Sequence, residues 1–155
     1  MGTIGKKLTT LLRPFNCKIL ARDHVTDMEF ARENNINYVH LDELLKESDI
    51  VTLHLPLDND TKGFFDRNLF LQMKDQAIFI NTSRGKLVDE DGLYDVLSAG
   101  KISHACLDVY NNEPYTGKLN ELDNVTLTCH IGSYAKEARI KMEEQAVENL
   151  LKGLG

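Results

Sequence analysis

The chain has 155 residues, 42% hydrophobic and 27% charged, with a formal net charge of −6, the composition of one globular domain with room for a real core. That acidity argues against nucleic acid or an anionic membrane as the main partner, and no apolar run approaches the roughly 18 residues of a spanning helix. Cys17, Cys106 and Cys129 are far apart and show no metal-ligand spacing, so no metal site is expected and the thiols are read as reduced, in a cytoplasmic protein.

The first stretch, MGTIGKKLTTLL, sets Gly2 and Gly5 at the spacing of the last two glycines of G-x-G-x-x-G. An apolar helix pattern follows (Ile4, Leu8, Leu11, Leu12). Gly2 would let the backbone approach a pyrophosphate, Gly5 would let the helix pack on a sheet, and the N–H groups near Thr3 and Ile4 would face the phosphates. Strands are predicted at CKILA (17–21), NYVHL (37–41), DIVTLHL (49–55), QAIFIN (76–81), SHACLDV (103–109) and NVTLT (124–128). Most are nearly continuous in apolar or β-branched residues, as in parallel strands buried on both faces. Asp89 is placed to cap a helix through Leu93, Val96 and Leu97 that Gly100 ends. A last helix is predicted from about Ala135 to Leu151, with Ala138, Met142, Ala146 and Leu150 along one stripe. Alternation of this kind predicts an α/β fold with a doubly wound, parallel, Rossmann-like sheet.

In such a sheet ligands bind outside the carboxyl ends of the strands. Asp23 follows the first predicted strand, where a carboxylate can accept both ribose hydroxyls of an adenosine and repel a 2′-phosphate, favouring NAD over NADP; Arg22 beside it would soften that preference. Arg84, in NTSRG, offers a planar cation suited to a carboxylate. His130, in CHIGS, can exchange a proton near neutrality, and Glu113, before Pro114, could orient it and raise its pKa. Each of the three is individually more often structural, and their collection at one rim beside a nucleotide turn is what favours chemistry. His24, His40, His54 and His104 are read as structural or surface residues, with His40 and His104 inside strands and His54 at the rim. Tyr110 and Tyr115 are read as packing residues.

The runs NTSRGKLVDEDGL, LDVYNNEP, TLTCHIGS and LHLPLDNDTKGFFDRNLFLQMK resemble the NAD-binding domain of the D-isomer-specific 2-hydroxyacid dehydrogenases, with the phosphoglycerate dehydrogenase branch the most similar. The resemblance covers essentially the whole chain. It implies reversible oxidation of a small 2-hydroxy acid by NAD, with Arg84 on the substrate's carboxylate and carbonyl, His130 as the acid–base group and Glu113 as its partner. It further implies that Thr3 and Ile4 meet the pyrophosphate and Asp23 the ribose, and that Leu55 and Pro56 lie along the cofactor. Thr82, Ser83 and Gly132 would contact the nicotinamide end, and Asp108 the carboxamide. Cys129 stands where the family usually has proline.

Relative to that family, residues 1–155 are expected to be a dinucleotide-binding domain truncated at its start, without the first glycine and the first strand, and without a substrate domain. The isolated chain is therefore expected to turn over little. That strand is central in the order 3-2-1-4-5-6. Its two neighbours must then close on each other, be bridged by a second copy, or remain partly folded, and a homo-oligomer is expected because strand edges recruit partners. Two rival readings are a non-catalytic NAD(H)-binding or corepressor-like module and a methyltransferase; the latter has no use for Arg84, Glu113 and His130.

Overall fold

The strands form within or beside the predicted apolar and β-branched runs, and each is shorter than its run. In the computed structural model, which describes residues 1–154, the chain order is α1 (Thr3–Leu12), β1 (Ile19–Ala21), α2 (Met28–Glu33), β2 (Ile36–Tyr38), α3 (Leu41–Glu47), β3 (Ile50–Leu53), α4 (Arg67–Gln72), β4 (Ile78–Asn81), α5 (Glu90–Ser98), β5 (His104–Leu107), β6 (Val125–Leu127) and α6 (Lys136–Leu154). Every strand pairing is parallel. Two of the connecting helices start on side-chain caps: Asp27 accepts from the Phe30 N–H and Asp66 from the Leu69 N–H. Asp89 does precede α5, without a side-chain cap bond, and Gly100, at φ +68°, follows its last residues.

The strands fall into two blocks, β1–β2 and β3–β4–β5–β6. Residues of β1 (Ile19, Leu20, Ala21) and of β3 (Val51, Thr52, Leu53) line one cleft, so the spatial order is β2–β1, a slot, then β3 to β6. Lys18, before β1, pairs with Glu47, before β3, at 2.6 Å, while Asp23 and His54, after the same strands, share the cleft. The two blocks therefore run in one direction. The slot lies where the first strand was expected to be missing, and β1 and β3 have not closed across it.

The larger block carries the main core. Phe65, Phe70 and Phe79 meet with ring centroids 4.7 to 4.9 Å apart, and Leu45, Leu87, Leu93, Ile102 and Leu119 are completely buried around them. Truncating a ring in such a packed site costs ~3–5 kcal/mol. The smaller block has its own core of Ala21, Ala31 and Ile36, with Met1, Ile19, Phe30 and Tyr38 against it.

Several expectations are corrected. The second strand ends at Tyr38, and His40 caps α3 instead of lying in a strand, because Leu41 onward repeats at helical spacing. His104 does lie in β5. Burial on both faces holds for the middle of the sheet but not for its margins, where Ile50 is 56% exposed and Thr126 faces solvent. Ile4 and Leu11 of the first helix pattern stand exposed. The last helix forms as expected, yet it buries none of its described residues, and Met142 and Leu150 of its stripe are exposed.

Candidate active site at the carboxyl rim of the sheet

Parallel pairing brings the residues after β1, β3, β4, β5 and β6 to one edge. Behind β4, Asn81 is buried and its amide folds the next turn: its Oδ1 accepts from the Ser83 N–H at 3.0 Å and its Nδ2 donates to the Arg84 carbonyl at 3.0 Å. Ser83 Oγ donates to the Leu53 carbonyl, tying this turn to the end of β3. Arg84 emerges extended and exposed. Its guanidinium donates to the Ser83 carbonyl at 2.6 Å and has no carboxylate partner among the described residues. A planar cation left without a counter-ion at a rim is equipped to take an anionic ligand.

The residue after Arg84 sets its distance from the next loop. A Cβ on Gly85 would overlap the Tyr110 backbone, so only glycine permits this approach. Tyr110 in turn donates its N–H to Glu113 Oε1 at 3.1 Å, and Glu113 Oε2 lies 2.9 Å from His130 Nδ1. A carboxylate can only accept, which places the proton on Nδ1 and leaves Nε2 for exchange. The hydrogen bond from His130, with that from the Tyr110 N–H, holds the Glu113 carboxyl below the usual range.

His130 sits at φ +53°, uncommon for a side chain other than glycine. Asp108, 8% exposed, holds the segment there: it accepts from the Ile131 N–H at 2.9 Å, the Gly132 N–H at 3.0 Å and the Thr128 hydroxyl. Burial pushes the Asp108 carboxyl up, but these three donors outweigh it and the net shift is down. Tyr110 packs on Tyr115 with centroids 4.5 Å apart and donates its hydroxyl to the Leu107 and Thr128 carbonyls. Burial pushes its phenol up to about 12.

At the other end of the rim, Gly2, Asp23, His54 and Leu55 line the cleft together. α1 begins after an extended Gly2 with no side-chain cap and no acid in its first turn, so its first N–H groups stay available to an anion. Thr3 and Ile4 are exposed there, and a Cβ on Gly2 would meet nothing within 4 Å, whereas one on Gly5 would meet the Met1 side chain. Asp23 accepts from the Val25 N–H at 3.1 Å and pairs with the Met1 ammonium at 3.2 Å. Burial raises its carboxyl, and these partners bring the net below the ordinary value. Pro56 and Thr82 are exposed. Burial pushes the His54 imidazole down. An open, uncapped helix start beside a carboxylate at a strand end fits the phosphates and ribose of a dinucleotide.

Sequence reasoning missed three positioning features: the Asn81 turn, the Gly85–Tyr110 approach and the grip of Asp108 on the His130 segment. Asn81 and Asp108 carried a legible signal, a polar residue ending an apolar strand that must find backbone partners once buried.

A family model described as D-isomer specific 2-hydroxyacid dehydrogenase, NAD binding domain, matches residues 1–132. The chain is 40% identical over 153 residues to a glyoxylate reductase of Korarchaeum cryptofilum, covering 97% of this chain and 46% of that protein. It is 35% identical to a D-3-phosphoglycerate dehydrogenase of Archaeoglobus fulgidus, over 99% of this chain and 30% of the other. The crystal structure of a glyoxylate reductase from Paecilomyes thermophila superposes with a TM-score of 0.90 at 34% identity, over 97% of this chain and 46% of that one. The chain thus spans less than half the length of these relatives. The match runs through the turn at Gly2, the Arg84 loop and the Glu113–His130 pair, and the chain belongs to the D-isomer-specific 2-hydroxyacid dehydrogenase family, as an NAD-binding domain.

Proposed function

We propose that this rim serves the reversible oxidation of a small 2-hydroxy acid, with Arg84, Glu113 and His130 as its working side chains. The observation that carries the reading is the 2.9 Å contact of Glu113 with His130 Nδ1 on a rim that also presents an unpaired guanidinium. NAD supplies the acceptor for the two electrons of the alcohol carbon. Arg84 binds the carboxylate and steadies the carbonyl oxygen as it forms. His130 takes the hydroxyl proton at Nε2, and Glu113 stabilises the imidazolium through Nδ1. On the nucleotide side, Gly2, Thr3 and Ile4 meet the pyrophosphate while Gly5 lets α1 pack closely behind them, Asp23 takes the ribose, and Leu55 and Pro56 flank the cofactor. Thr82, Ser83 and Gly132 stand at the nicotinamide end, with Asp108 beneath it. The substrate class is that named for the relatives, glyoxylate with its hydroxy acid or 3-phosphoglycerate with its oxo acid.

The His130 side chain is 50% exposed and the Glu113 side chain 39%, so water reaches the pair freely. A wet site weakens each electrostatic contact, and the 155-residue chain is therefore assigned dinucleotide binding with little turnover of its own. The same openness favours, as a second reading, an NAD(H)-binding module without catalysis. Calorimetry with NADH and NADPH, followed by glyoxylate added to the NADH-loaded chain, separates the two. Glyoxylate binding that Arg84→Ala abolishes supports the dehydrogenase reading, and NADH binding with no glyoxylate response supports the module. No heat with either nucleotide refutes both. Self-association is proposed through the exposed stripe Ile140, Val147, Leu151 and Leu154 of α6, to be read as a dimer mass in light scattering. The three free thiols, among the described residues, suit a reducing cytoplasm.

A further inference from the structure

The loop that carries Glu113 crosses the rim without the support of a ladder. Among the described residues, no backbone–backbone hydrogen bond involves residues 109–116. Glu113 binds only the Tyr110 N–H of its own loop and His130, so its position depends on what grips the loop from outside. Tyr110 anchors the start of the loop through its hydroxyl. Past that point one main-chain group reaches another segment: the Asn111 N–H donates to Glu90 Oε1 at 2.6 Å. The Asn111 side chain adds a bond from Nδ2 to the Val88 carbonyl at 3.3 Å.

The segment that offers Glu90 is firmly fixed. Lys86 and Leu87 accept from the Gly63 and Phe65 N–H groups, Asp89 donates to the Phe65 carbonyl, and Leu87 and Val88 are buried in the main core. The same segment begins at Arg84. Glu90 opens α5, where the helix dipole favours a negative charge, and it has no cationic partner among the described residues. We propose that Glu90 is a positioning residue: its carboxylate fixes the Asn111 corner, and through that corner sets Glu113 against His130 Nδ1 and both against Arg84. The role rests on the reading of Glu113 and His130 as the acid–base pair. A carboxylate accepting from a backbone N–H makes a charge-assisted bond, about twice as strong as a neutral one, which suits a contact holding a loop with no other main-chain tie. Burial pushes the Glu90 carboxyl up, against the lowering effect of the Asn111 donor. The acid is thus withdrawn from water and engaged with the loop, and it reaches the reaction only through Asn111.

The test is NMR on the whole chain, isotopically labelled in nitrogen and carbon, at about pH 8.5, where imidazoles are neutral. The ring nitrogen shifts of His130 then report which atom carries the proton. In the unmodified chain the proton is expected on Nδ1, and Glu113→Ala gives the spectrum of the unpaired ring. Glu90→Ala should move His130 toward that unpaired spectrum while the β4 and β5 amides stay dispersed. Glu90→Gln, which keeps an acceptor for the Asn111 N–H, should restore the Nδ1 signature. A merely structural role would lower the melting temperature and leave the tautomer as it was, so an Nδ1 signature that survives Glu90→Ala overturns the proposal. In the unmodified chain the Asn111 amide proton must also follow the acid titration of Glu90, read on its own carboxyl carbon because Asp91 lies beside it. An amide that ignores this titration overturns the proposal whether or not the alanine variant folds. A proton found on Nε2 in the unmodified chain would instead overturn the Glu113–His130 reading itself, so the two failures are told apart.

Discussion

Substituting alanine at Gly85 tests the spacing on which the candidate site depends. The added methyl would sit well inside the 3.0 Å that Cβ atoms keep from other heavy atoms, and what it meets is the Tyr110 backbone, which has no rotamer to give way. Gly100→Ala is the reference: it meets nothing within 4 Å and carries only the strain of φ +68°, about 1 kcal/mol. Overpacking against a fixed neighbour costs ~3 kcal/mol, a large share of the roughly 5–15 kcal/mol that holds a domain together. For a chain of this size the Gly85→Ala transition should move down by roughly 6–12 °C, and Gly100→Ala by roughly 2–4 °C. Calorimetric scans of the two variants give the comparison. Equal shifts would refute the argument, since they would mean that the Gly85 and Tyr110 segments slide apart at no cost and that their approach positions neither Arg84 nor Glu113.

Asp108→Asn keeps shape while exchanging one acceptor oxygen for a donor that faces a backbone N–H, that of Ile131 or of Gly132. It should destabilise the chain by about 1–3 kcal/mol and raise amide exchange at Ile131 and Gly132 in NMR. Because the folded Asp108 carboxyl lies below its ordinary value of 3.8, its contribution is complete above that value and is lost as pH falls through the lower folded one; the variant should flatten this acid limb in thermal melts. Tyr110 acts in the opposite sense. Its folded pKa is raised from 10.0 to about 12, so its contribution is whole below pH 10 and declines toward pH 12, and Tyr110→Phe should remove that alkaline decline in scans taken across the interval.

The parallel α/β fold was legible because strands buried on both faces run nearly continuously apolar, and the predicted runs 49–55, 76–81 and 103–109 contain β3, β4 and β5. The rim residues were legible from the same rule, which sends whatever follows a strand to one edge. His40 was misplaced because a histidine between Val39 and Leu41 continues a strand pattern as easily as it starts a helix, and only the Leu41–Leu44–Leu45 spacing on the far side decides. Contacts between distant segments were not legible. Nothing near Gly85 in the sequence points to Tyr110, and Asp108 gives no sign of which backbone groups it will hold. The slot was foreseen as a gap in the strand order, but whether its neighbours would close depended on two separate cores, which no local pattern reveals.

Those cores also decide how the two ends of the rim behave. The block from β3 to β6 rests on eighteen buried residues, the β1–β2 block on three. Asp23 and the Gly2 turn belong to the smaller block, with one slot-side edge unpaired and Lys6–Asp27 and Met1–Asp23 among its polar ties. Local stability follows buried apolar contact, so the nucleotide end should open first, well before global unfolding. In hydrogen exchange, β1 and β2 amides should be lost with free energies several kcal/mol below those of β4 and β5. NADH at a hundred times its dissociation constant should then raise protection of the smaller block by up to about 2.7 kcal/mol, and by the same amount at those β4 and β5 amides whose exchange requires an opening that releases NADH. Uniform protection of both blocks in the free chain would mean that the slot does not divide the fold energetically, and that the ribose end of the rim is as rigid as the Glu113–His130 end.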